Sequence, residues 1–82
     1  MTLPDIRQQI DQIDSELIAL LARRITLARK ARAHKTQVLD ASREADVVHH
    51  WRVEATAQNI DPDAAAQLAE TIIRITRSAQ PQ

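Results

Sequence analysis

Arg24 is a guanidinium set in a row of aliphatic side chains. Alternate steps of three and four residues give Ile6, Ile10, Ile13, Leu17, Leu20, Arg24, Leu27 and Ala31, the spacing of one buried stripe on a long helix. One more turn along that face reaches Lys35, and Arg7 lies near its start. A buried cation without a partner is costly, so a cation on a seam is paired, reaches back to the surface, or meets an anion. Three cations strung along one helix point to a pocket for something small and multiply negative.

The rest of the chain repeats the theme. Glu44 falls on the inward face of a second helix, with Arg43 and Asp40 at its mouth, and Thr76 and Gln80 fall on the apolar face of a third. Each has a plainer explanation. Arg24 could form a buried salt bridge with Glu44 or with a dimer mate, Arg7 and Lys35 could be surface charges, and Thr76 and Gln80 could be ordinary helix-end polarity. What weighs against the plain explanations is convergence: several donors and one carboxylate would share inward faces by accident.

Other chemistries are poorly served. His49 and His50 are adjacent and so point in different directions, and no second His or Cys sits at metal-ligand spacing. Ser15, Ser42 and Ser78 have no evident His and carboxylate partners for a hydrolytic triad. The chain has no glycine with which to build a phosphate-cradling loop. The cluster Arg23, Arg24, Arg29, Lys30 and Arg32 spreads around its helix without an aromatic platform, which argues against nucleic acid. Trp51 reads as core rather than as a ligand stack.

Three helices must position these groups. The first is expected from about residue 3 to 34, with Thr2 as N-cap, Pro4 in the first turn and Asp5 complementing the dipole. At 1.5 Å per residue it would be about 45 Å long, whereas a compact globule of this size has a radius of gyration of roughly 12 Å. The helix must overhang its own domain, and no internal Pro or Gly invites a break. An intertwined homodimer is the expectation. A second helix, capped by Asp40 or Ser42, is expected over about 42–58, burying Glu44, Val47, Val48, Trp51 and Ala55. Asn59 can adopt the left-handed conformation that ends it. The third, over about 62–79, begins with Asp61 as N-cap and Pro62 at its first position. Its stripe reads Ala65, Leu68 or Ala69, Ile72, Thr76, then Ala79 or Gln80.

Composition agrees with an all-α reading and narrows the partners. The 82 residues fit a single domain, without Gly, Cys, Phe or Tyr and with one Trp. Eleven basic residues balance eleven acidic ones, so no net field recruits nucleic acid or an anionic membrane. Without Cys there is neither disulfide nor thiol catalysis. The N-terminal MTLPDIRQQID lacks an apolar signal core and no run approaches membrane-spanning length, so a cytoplasmic protein is expected. No separate regulatory domain fits in this length, so no built-in allosteric site is expected.

Taken in order, these residues resemble the all-helical chorismate mutases. The likeness begins at Ile6-Arg7, continues through IDQIDSELIALLARR, and picks up Lys35, the dipeptide Arg43-Glu44, the IDPD turn and the Ile-Ile-x-x-Thr-x-x-x-Gln that ends at Gln80. It covers nearly the whole chain, with a Lys35–Arg43 connection about four residues shorter than in typical relatives. The resemblance implies an intertwined helical dimer with two active sites and no cofactor or metal. Arg24, with Arg7 from the partner subunit, would grip the two carboxylates of chorismate. Lys35 and Gln80 would donate hydrogen bonds to the ether oxygen of the breaking bond. Glu44 would accept from the ring hydroxyl, helped by Asp40 and supported by Arg43, and Thr76 would contact a carboxylate.

That reaction, chorismate to prephenate, is a unimolecular pericyclic rearrangement without nucleophile or proton transfer. The enzyme has to fold a flexible dianion into a chair and stabilise charge developing on the ether oxygen. Arginine's rigid fork suits a carboxylate and lysine offers a compact charge. Because Gln80 is neutral, activity should change little from mildly acidic to neutral pH. Sister activities on the same scaffold are the nearest rivals: isochorismate pyruvate lyase, or rearrangement of an amino-substituted chorismate. Glu44 argues for the mutase over the lyases, which lack the Arg-Glu pair. A non-catalytic helical dimer module is the rival from another class, and it predicts that Arg24 and Glu44 pair with each other. Some short mutases are activated by an enzyme of the same pathway, a partner this chain could also use.

Overall fold

The computed structural model of the chain describes residues 1–33 and 41–78, apart from the side chain of Ala41. Three helices make up this structure, α1 (Leu3–Arg32), α2 (Ala41–Ala57) and α3 (Pro62–Ser78), and no strand occurs among the described residues.

The helix ends follow from residue type. Thr2 and Asp5 form a capping box on α1: the Thr2 hydroxyl accepts from the Asp5 backbone N–H at 3.3 Å, and the Asp5 carboxylate accepts from the Thr2 backbone N–H at 3.1 Å. The carboxylate also accepts from the Thr2 hydroxyl at 2.8 Å, and its two bonds from Thr2, the backbone one foremost, hold the Asp5 carboxyl below its ordinary range. Arg29, Lys30 and Arg32 occupy the last turn of α1, where cations oppose the negative end of the helix dipole. Asn59 ends α2 with φ of 60°. Around it the Ile60 N–H donates to the Ala55 carbonyl at 2.8 Å and the Asn59 N–H to that of Thr56 at 3.1 Å, the paired bonds of a Schellman motif. Two residues later Asp61 caps α3, its Oδ1 accepting from the Asp63 N–H at 3.0 Å, and Pro62 takes the first helical position, where no N–H is needed. The chain therefore reverses in four residues and lays α3 back along α2.

That hairpin holds what core there is. Its buried apolar residues are Ala55, Ala65, Ala66 and Ala69, joined by Thr76. Glu44, Val47, Val48 and Trp51 are half-buried on α2 and Ala55 is fully buried, the face its periodicity predicts. On α3 the choice between Leu68 and Ala69 resolves to Ala69, since Leu68 stays exposed. Small side chains let the two backbones approach closely, and no large side chain is fully buried among the described residues.

Helix α1 behaves otherwise. It approaches α3 and not α2, and none of its residues is buried. The expected buried stripe is, within one chain, a surface: Ile6, Ile10, Ile13, Leu17, Leu20 and Leu27 are 40–58% exposed. The half-buried residues of α1 are instead Leu21, Arg24, Ile25 and Ala28, a set rotated about 60° from the predicted stripe at 3.6 residues per turn. Arg24 alone belongs to both sets. The molecule measures 52 × 28 × 15 Å with a radius of gyration of 15.5 Å, against roughly 12 Å for a compact chain of this length. The long axis is set by α1, which overhangs the hairpin as its length requires.

Candidate functional site

The residues singled out by sequence fall into three groups. Lys35, Asp40 and Gln80, together with His34 and Ala79 at the expected helix ends, lie outside the described residues. Arg7 and Arg24 lie on α1, the first exposed and the second half-buried. They stand seventeen positions apart on one unbroken helix, about 25 Å along the axis. One chain therefore does not bring Arg7 and Arg24 together around a small molecule.

The third group belongs to the hairpin. Arg43 is exposed and Glu44 half-buried in the first turn of α2, and Thr76 is buried near the end of α3. The Thr76 hydroxyl donates to the Ile72 carbonyl one turn back, at 2.8 Å, and must turn away from it before donating to a ligand carboxylate. Glu44 reaches across the helix interface and accepts through Oε2 from the Arg77 guanidinium. The pairing of Arg24 with Glu44 considered from sequence does not occur within the chain. Among the described residues Arg24 makes no ion pair or hydrogen bond, and the carboxylate that could have neutralised it is engaged elsewhere.

Arg77 escaped the sequence reading. Its signal was available: it follows Thr76 directly and stands one turn beyond Ile73, so it borders the apolar face of α3 on the side that meets α2. With Glu44, Val48, Arg52, Ile73 and Arg74 it lines an open groove of about 580 Å³ between the two helices, within the size range of small-molecule sites. Arg52, at the far side of that groove, pairs with Asp63 at 2.5 Å. Both partners of this second bridge are substantially exposed, so it contributes little to stability.

The arrangement can bind anions and accept one hydrogen bond. A half-buried guanidinium on α1, without a partner among the described residues, offers a fork to a carboxylate. Glu44, with one oxygen occupied, keeps Oε1 open as an acceptor. No group of His, Cys, Asp and Glu among the described residues could hold a metal ion, and no helix among them is long and apolar enough to cross a membrane.

No curated protein and no solved structure matches the chain. A family model does, that of chorismate mutase type II, over residues 6–81. The match runs from the turn that carries Arg7 to the residue after Gln80, and so embraces every site residue named above. With three helices, no strand among the described residues and a match across nearly its whole length, the chain belongs to the all-helical, type II chorismate mutase family.

Proposed function

We infer that the protein rearranges chorismate to prephenate. The observation that carries this reading is Arg24: a cation on an apolar seam, half-buried and without a partner among the described residues, while Glu44 pairs with Arg77 instead. An isolated structural ion pair would have closed on itself. A site awaiting a dianion keeps its cation open.

In the proposed reaction Arg24 and the Arg7 of a second copy bind the two carboxylates and fold the substrate into a chair, which supplies orientation. Glu44 accepts from the ring hydroxyl, with Asp40 and Arg43 beside it, and Thr76 donates to a carboxylate. Lys35 and Gln80 donate to the ether oxygen as its bond to the ring breaks and the new carbon–carbon bond forms, stabilising charge where it develops. No proton or electron leaves the substrate. The separation of Arg7 from Arg24 along one rigid helix supports the homodimer, because a second α1 is the available source of an Arg7 near Arg24. The exposed apolar stripe of α1 supports it independently. The proposal includes a cytoplasmic location on the shikimate route to the aromatic amino acids, supported by the family alone.

The test is incubation of the purified protein with chorismate, and with isochorismate in parallel, with products identified by mass spectrometry. Prephenate formation that collapses in Arg24→Ala and Lys35→Ala is the expected result. Pyruvate released from isochorismate with chorismate inert would transfer the reading to the lyase. A folded dimer inert to both would leave a binding module, or an enzyme dependent on a pathway partner.

A further inference from the structure

We propose that Arg77 is a positioning residue for this reaction, acting through Glu44; the inference rests on the function proposed above. Glu44 stands in the first turn of α2 on a side chain with three rotatable bonds, and an unanchored carboxylate there samples several positions. Arg77, thirty-three residues later on α3, fixes one of its oxygens from across the interface. A carboxylate has two oxygens, and the bond to Arg77 uses Oε2. Oε1 is left to accept the ring hydroxyl of the substrate in an orientation set by α3 rather than by the side chain's own rotamers.

Charge gives the same residue a second effect. A bare carboxylate beside a dianion repels it, and a guanidinium bound to the far oxygen offsets that repulsion without occupying the near one. Both groups are partly shielded, Arg77 41% and Glu44 34% exposed in their side chains, so water screens the pair incompletely. Ile73, one turn before Arg77, lines the groove with it and adds apolar surface beside the pair. The pairing therefore joins the two helices of the hairpin at the point where substrate specificity is read.

The ring hydroxyl is present in substrate and transition state alike, so misplacing its acceptor weakens both equally. Such a loss appears in KM rather than in kcat. The experiment is steady-state kinetics on chorismate with Arg77→Ala, Arg77→Lys, Glu44→Gln and the double variant Arg77→Ala/Glu44→Gln. Arg77→Ala should raise KM by about tenfold with kcat within about twofold. Arg77→Lys should recover much of the loss, and the double variant should be no worse than Glu44→Gln alone, because the effect of Arg77 passes through Glu44. A purely structural role for Arg77 would lower kcat through fewer folded sites at unchanged KM, and would add to the Glu44→Gln defect; either result overturns the proposal. Wild-type protein inert to chorismate would instead overturn the proposed function and this inference with it, whereas an active wild type with an indifferent Arg77→Ala removes the inference alone.

Discussion

Replacing Leu17 tests whether the exposed stripe of α1 is an interface between two copies. Leu17 is 58% exposed in the single chain. Full burial of a leucine side chain contributes about 1.5–3 kcal/mol, so covering its remaining surface contributes roughly 1–1.7 kcal/mol per chain. A two-fold interface uses every residue twice, which brings the loss in Leu17→Ala to about 2–3.5 kcal/mol per dimer, or a roughly 30- to 300-fold weaker dimer at 1.4 kcal/mol per factor of ten. Leu17→Asp should be worse, since a carboxylate must also be desolvated. Ser15 is the control: it lies two residues away and about 200° round the same helix, exposed, and Ser15→Asp should leave association unchanged. Analytical ultracentrifugation across a micromolar dilution series reads all three. A wild type that sediments as a monomer throughout, or a Leu17→Asp chain as dimeric as the wild type, would show that the stripe is not an interface between two copies.

Three other outcomes are expected. Arg24→Ala should lower kcat/KM for chorismate by about a hundred- to a thousandfold, because the variant loses both the grip on a carboxylate and the chair orientation it enforces, while circular dichroism and sedimentation stay those of the wild type. Asn59→Ala should lower stability by about 1–2 kcal/mol, because a Cβ-bearing residue without a local hydrogen-bonding side chain resists the left-handed conformation; thermal unfolding of the two proteins measures it. Asp5 titrates lower in the folded chain than its ordinary 3.8, so its contribution to α1 is fully present above that pH and is lost as the pH falls through the lowered value. Amide exchange at the start of α1 should quicken over that acidic window in the wild type and show no such step in Asp5→Asn.

Local chemistry was legible in the sequence where it depends on one or two residues. Thr2 with Asp5, Asn59, and Asp61 with Pro62 each mark a helix end by a bond their own side chain or backbone makes, so the three-helix architecture could be read directly. The inward face of α2 was legible for a related reason, because its period coincides with the face that α3 covers. The stripe of α1 was legible as one apolar face, and the length of the helix led to the expectation that a second subunit covers it; within one chain it is exposed, because periodicity reports which residues share a face and says nothing of whose surface covers it. Arg24 was visible as an interruption, but that no described residue pairs with it depended on where Glu44 went. That in turn depended on Arg77, a residue far away in sequence whose type alone looks like an ordinary helix-end charge.

The buried alanines of α3 also limit how this protein can change. Ala65, Ala66 and Ala69 are buried on the helix that packs against α2 and, less extensively, α1, and a single methyl group leaves little spare room there. A leucine or valine at these positions must widen the gap between α3 and its neighbours, α2 foremost. The Arg77–Glu44 contact closes across that same gap, so a substitution two or three turns away would slacken it without touching either residue. If Glu44 reads the ring hydroxyl as proposed, drift at these positions would show first as a raised KM, and the smallest side chains in the molecule would be among its least replaceable.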